Sequence, residues 1–99
     1  MPKKVVWSTL AENDFSDILE YLKKEWNENI AFYFMNITFI ALEKISISPK
    51  QYPLIYKKLK IRKCILTKHN ALYYRENKEQ IDILRIFDTR QDPKKLKFA

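Results

Sequence analysis

Ninety-nine residues, 46% of them apolar and 14% aromatic, suffice for one folded domain over 1–99 and leave no room for a second core. A chain of this length buries roughly two-thirds of its extended surface, so it can fold without staples, and its lone cysteine, Cys64, excludes an internal disulfide. The net charge of +7 is unevenly spread: residues 1–43 sum to −3 and residues 44–99 to +10, with nine Lys/Arg and no carboxylate from Lys44 to Arg75. Like charges gathered this way repel one another and favour an anionic partner, an acidic protein or a nucleic acid.

The chain has no glycine, which excludes the glycine-rich phosphate loops of P-loop and dinucleotide-binding proteins. One cysteine and one histidine, His69, cannot assemble the usual zinc set, so neither metal nor cofactor is expected. The opening Met1-Pro2-Lys3-Lys4-Val5-Val6-Trp7 lacks the apolar core of a signal peptide, and no uncharged run reaches the roughly 18 residues of a membrane span. A cytoplasmic protein is expected.

Val5-Val6-Trp7 is a short β-prone start. Thr9 with Glu12 three residues later has the form of a capping box, and Ser8 is the alternative cap. Behind it Ala11, Phe15, Ile18, Leu22 and Trp26 recur at the spacing of an amphipathic helix. The opposite face carries Glu12, Asp14, Asp17, Glu20, Lys23 and Lys24, acids early and lysines late, which complements the helix dipole. Asn27-Glu28-Asn29 breaks the pattern. A second helix runs from about Ile30 to Ile47, with Ile30, Phe34, Ile37, Ala41 and Ile45 on one stripe. Phe32, Tyr33, Met35, Phe39 and Ile40 widen its apolar surface, so this helix is either buried on two sides or presents a surface to a partner. Ser48-Pro49 ends it.

The remainder reads as strands over Leu54–Tyr56, Leu59–Leu66, Ala71–Arg75 and Ile81–Phe87, with a hairpin loop at Asn77–Gln80. In the second strand Leu59, Ile61 and Ile65 share one face, and Lys60, Arg62 and Cys64 the other. Without glycine, turns at positive φ are expected to fall to asparagine, and Asn27, Asn29, Asn70 and Asn77 all sit at breaks. The order β-α-α-β-β-β(-β) gives an α+β fold, a helical hairpin packed on one face of a mainly antiparallel sheet.

Three arginines could stabilise phosphate charge through their planar donor forks: Arg62, Arg85 and Arg90. RNA cleavage by a 2′-hydroxyl would add a base and an acid, for which His69 is the sole imidazole. Each has a plainer reading. His69 can be a solvated turn residue, Arg62 a solvated arginine pointing outward, and Arg85 a partner of Glu76 or Asp82. Arg90, just past the last strand, is the best placed. With Lys57, Lys58, Lys60 and Lys63 these arginines make up the candidate anion- or partner-binding set. Tyr73-Tyr74 amid basic residues has the look of a stacking platform for bases, but adjacent strand residues face opposite ways, so one of the two belongs to the core. A basic nucleic-acid-binding module without toxicity is therefore a third reading beside the two that follow.

The sequence resembles the RelE/ParE toxin superfamily. The likeness rests on Val6-Trp7-Ser8 leading to Ala11, Asp14, Phe15, Ile18 and Tyr21, then on Pro53, Ile61-Arg62-Lys63 and Leu72-Tyr73-Tyr74-Arg75. The closing run Ile83-Leu84-Arg85-Ile86-Phe87-Asp88-Thr89-Arg90-Gln91-Asp92-Pro93 is its most specific part. The resemblance implies a toxin of a bacterial type II toxin–antitoxin module, of the kind linked to plasmid stabilisation and growth inhibition. Such a toxin is held inactive by a cognate antitoxin whose C-terminal segment, often acidic, wraps it. RelE-like members cut messenger RNA on the ribosome, whereas ParE-like members poison DNA gyrase and need no active site. Nuclease relatives carry an arginine where this chain has Ala71 and a tail tyrosine where it has Leu96, with Phe98 nearby. Arg90 matches a position they use, with Arg62 as its companion if the chain is a nuclease. The ParE-like branch is the better match.

Overall fold

The computed structural model describes residues 2–98. Its elements are β1 (Lys4–Trp7), α1 (Thr9–Glu25), α2 (Glu28–Ile47), a 3-10 turn (Pro49–Gln51), β2 (Leu54–Tyr56), β3 (Ile61–Thr67), β4 (Asn70–Glu76), β5 (Gln80–Asp88) and a second 3-10 turn (Pro93–Lys95). The five strands form one sheet in the order β1-β5-β4-β3-β2. β1 runs parallel to β5, and the other neighbours are antiparallel. The architecture is the expected α+β one.

Each α-helix starts where a side chain can satisfy one of its first free N–H groups. Ser8, not Thr9, caps α1: its Oγ accepts from Ala11 N at 3.0 Å and donates to Leu84 O at 2.9 Å. Its own N–H donates to Ile83 O at 2.9 Å. One residue therefore ends the β1–β5 ladder and begins the helix, which is why the cap falls one position ahead of the Thr9–Glu12 box. Asn27 caps α2 by accepting from Ile30 N at 3.0 Å, so that helix begins at Glu28, two residues earlier than the apolar pattern suggests.

The asparagines do not supply positive φ, as expected of them; the residue at φ 59 is Lys60. Asn27 has extended backbone, and Asn77 uses its side chain to accept from Glu79 N and Gln80 N. At Lys60 the chain leaves the turn Lys57–Lys60 and enters β3, a left-handed position that favours glycine. A lysine there carries a left-handed strain of roughly 1–2 kcal/mol.

Both faces of the sheet are covered. The helical face buries Ala11, Phe34, Ile45, Leu72, Tyr74 and Ile83, with Phe15, Ile18 and Leu22 of α1 packed against them. The outer face buries a second cluster, Ile61, Ala71, Tyr73, Leu84 and Phe87, roofed by Leu96 and Phe98 of the C-terminal tail. Tyr73 and Tyr74 are thus both core residues, one on each side, and neither is an open stacking platform. The α1 stripe runs out at Leu22; Trp26 stands 69% exposed at the hairpin's tip, and Ile30 opposite it is also exposed. On α2 the extra apolar residues Phe32, Tyr33 and Ile40 face outward, so the helix is buried on one side and not two.

β1 is four residues long and β5 nine, so β5 has a bare edge beyond Ile83. Asp14 of α1 closes it. Its Oδ2 accepts from Ile86 N at 3.0 Å and from Arg85 Nε at 2.7 Å, while Oδ1 accepts from Arg85 Nη2 at 2.9 Å. Both side chains are mostly shielded from water. Removing the carboxylate leaves a guanidinium and an edge N–H without partners. Asp14→Ala should therefore cost about 2–3 kcal/mol of unfolding free energy in urea titrations, and Asp14→Ala/Arg85→Ala together less than the sum of the two singles.

Candidate binding surfaces

The cations that sequence reading groups together do not share one wall. Lys57, Lys58 and Lys60 sit on the exposed β2–β3 turn. Lys63 lies on the outer face, its Nζ 6.0 Å from the centroid of the Tyr73 ring. Arg62 points the other way, toward the helices, and is not a solvated outward arginine: its Nη1 donates to Tyr52 O at 2.7 Å and to Lys50 O at 3.3 Å. The alternation expected for β3 holds, but the side bearing Arg62 and Cys64 is the one that faces the helices, and Ile65 on the other side is exposed.

Arg85 pairs with Asp14 and not with Glu76 or Asp82, because those two are engaged elsewhere. Glu76 meets Lys3 at 2.9 Å, and Asp82 accepts from Asn77 and Gln80 side chains. Arg85 Nη1 also donates to Lys97 O at 2.6 Å, which ties the tail to the sheet. Arg90 is exposed and forks onto Asp88, Nε to Oδ1 at 3.0 Å and Nη2 to Oδ2 at 2.8 Å. That fork holds the Asp88 carboxyl below its usual pKa and Arg90 above its own. Arg75, outside the candidate set, donates to Leu59 O at 3.3 Å and steadies the β2–β3 turn. All four arginines therefore clamp backbone or carboxylate, and the lysines carry the unpaired positive charge of the turn and tail.

Sequence reading did not anticipate a cleft of about 720 Å³ between the hairpin's tip and the end of the sheet. Leu22, Trp26, Ile30 and Tyr33 form its apolar wall; His69, Asp88 and Arg90 form the polar one. The signal was present in Trp26 and Ile30, large apolar residues beside the Asn27-Glu28-Asn29 break. Along α2, Tyr33, Ile40 and Ile47 continue an exposed apolar stripe, at 66%, 54% and 69%. By length and composition α2 is apolar enough to cross a membrane, yet a third of it is buried against the rest of the fold.

The buried ionisable groups are held in their neutral forms. Burial pushes the Cys64 thiol and the Tyr52, Tyr73 and Tyr74 hydroxyls above their usual values, Tyr74 the furthest. Tyr74 donates its hydroxyl to Pro49 O, fixing the turn after α2. Among the described residues no three His, Cys, Asp or Glu side chains gather as a metal site.

An α-helical hairpin on a five-stranded sheet whose first strand runs parallel to its last is a ParE-like fold. A family model, the ParE toxin of the type II toxin–antitoxin system parDE, matches residues 5–93, and the chain belongs to that family. Among solved structures it is similar to a chain of the chromosomal ParDE toxin–antitoxin system from P. aeruginosa, at a TM-score of 0.71 and 15% identity, over 87% of this chain and 95% of that one. At that identity the likeness concerns the fold. No curated protein matches the sequence.

The raised hydroxyl and thiol pKa values set the alkaline limit of stability. In the unfolded chain these groups release protons from about pH 9–10, whereas the folded state retains them, so their contribution is complete below that range and lost as pH rises through the folded values. Urea midpoints should fall between pH 8 and 11. Tyr74→Phe should lower stability by about 1 kcal/mol at pH 7 and flatten the alkaline decline.

Proposed function

We propose that this chain is the toxin of a type II toxin–antitoxin pair, neutralised by a cognate antitoxin with an acidic segment, and that it arrests growth in the cytoplasm by acting on DNA gyrase. The observation that carries the choice of target is the packing at Ala71. Where nuclease relatives resembled by the sequence place an arginine and a tail tyrosine, this chain puts Ala71, Leu96 and Phe98 into one apolar cluster with Tyr73, Leu84 and Phe87. Arg62 faces the other side of the sheet and is spent on the carbonyls of Lys50 and Tyr52. In-line phosphoryl chemistry needs cations and a proton carrier converging on one phosphate, and removal of members of such a set costs orders of magnitude in rate. An inhibitor that acts by binding has no such requirement.

The antitoxin reading is supported by chemistry on both sides of the molecule. The exposed stripe Tyr33, Ile40 and Ile47 and the neighbouring cleft suit apolar side chains of a partner segment, in the manner of a helix laid in a groove. The lysine-rich turn and tail suit its carboxylates.

Expression of the chain alone should stop growth, and co-expression of the product of a short adjoining reading frame should restore it. Purified toxin should block supercoiling by gyrase and leave ribosome-bound mRNA intact. Cleaved mRNA with normal supercoiling would transfer the assignment to the nuclease branch, in which case Arg90→Ala should abolish the cleavage.

A further inference from the structure

The outward face of α2 maps onto itself. Tyr33, Ile40 and Ile47 lie seven residues apart, two helical turns each, and form a row about 21 Å long on which all three side chains are exposed. Phe32 and Phe39, each one position earlier, make a second exposed row at the same spacing, on the side toward α1, where Phe39 meets Phe15. A row with equal intervals has a twofold axis through its middle residue. Set antiparallel against a second copy, it brings Ile40 to Ile40 and Tyr33 to Ile47. The same axis places Asn36 of one copy near Glu43 of the other, an amide donor beside a carboxylate.

Charge selects the same occupant. From Asn29 to Leu42 no residue is charged, although the chain as a whole carries +7. Two copies repel each other least where their charge is sparsest, whereas an acidic segment finds no cation along this stretch of α2 before Lys44. Area agrees with charge. The structure exposes 7006 Å², whereas a monomer of 12.0 kDa ordinarily exposes roughly 6,000 Å². The surplus of roughly 1,000 Å² matches the about 800 Å² that each partner gives up in a stable interface.

We infer that in the free protein this face is covered by a second copy of the chain, in an isologous pair whose twofold axis passes between the two Ile40 side chains. The pairing rests on the helix and not on the toxin–antitoxin reading. Where that reading holds, an antitoxin segment laid on the same stripe and a second copy exclude each other.

Sedimentation equilibrium of the full chain, purified free of other proteins, tests it. The mass should be twice 12.0 kDa at roughly 50 µM protein. Added salt should leave the dimer intact or tighten it, because the contact is apolar and the net charges repel. A monomer at that concentration, or a dimer that falls apart as salt rises, would overturn the inference.

Position 40 then locates the axis. Ile40→Glu sets two carboxylates against each other and should give a monomer, as should Ile40→Lys with two ammonium groups. An equimolar mixture of the two variants should recover the dimer, because one of each then meets at the axis. A dimer that survives either variant alone, or a mixture that stays monomeric, would overturn the assigned face. If Ile40→Glu fails to fold, Ile40→Ala keeps the helix and should weaken the dimer at least about tenfold, and unchanged association would count against the face equally. Growth arrest by a chain that is monomeric in solution would refute the pairing and leave the toxin reading. A dimer that neither arrests growth nor answers to an antitoxin would do the reverse.

Discussion

The junction of Asp14, Arg85 and Ile86 holds the molecule's layers in register. A parallel strand only four residues long cannot cover β5, and a bare edge in the middle of a sheet invites pairing with another chain. Asp14 closes that edge from the first half of α1, which fixes the rotation of the helix about its axis as well as its position. Ser8 does the same at the helix's N-cap through Leu84 O. Arg85 carries the connection through to the other side by holding the carbonyl of Lys97. Helix layer, sheet and tail therefore meet at one guanidinium. The charge pair matters less for its Coulomb energy than for the cost of leaving any of its members unpaired in a half-buried place.

That use of Arg85 is one case of a division of labour between the two basic residues. Arginine, with five donors on a rigid fork, anchors the segments that have no ladder of their own. Arg62 holds the turn after α2, Arg75 the β2–β3 turn, and Arg90 the start of the C-terminal segment through Asp88. Lysine, a point charge on a flexible stem, occupies the exposed turn and tail, where it attracts an anion at distance without a fixed geometry. The surface charge of this protein is consequently adaptable, and its specificity must come from the apolar features beside the lysines.

Those features explain what the sequence made legible. The helices were readable because apolar residues at 3.6-residue spacing have one physical outcome when a sheet is available to bury them. The widened apolar surface of α2 pointed to a partner face, and Phe32, Tyr33 and Ile40 do face outward. What misled was the side of β3. Alternation sets Arg62 and Cys64 against Ile61 and Ile65 but cannot tell which side meets the helices, and a strand with cores on both faces gives no single apolar side to follow. Ion pairing was illegible for a related reason, since Asp14 and Arg85 are distant in sequence and meet only through the crossover from β1 to β5. The asparagines were misassigned because capping and side-chain turns compete for the same residue type as left-handed backbone. At the one left-handed position among the described residues the tight turn Lys57–Lys60, not residue preference, chose Lys60.

A sheet with a packed cluster on each face holds its buried polar groups in fixed roles. Tyr52, Tyr73, Tyr74 and the thiol are held protonated by burial, and three of the arginines are tied to carbonyl oxygens. The surface offers, among other groups, apolar area on the helical side and lysine charge on the outer side. Those are the materials of recognition, and they lie on opposite faces of one sheet. A neutralising partner that engages both must wrap around the edge of the fold. Each half can then be weak and the whole strong, because the second contact is made at the high effective concentration set by the first.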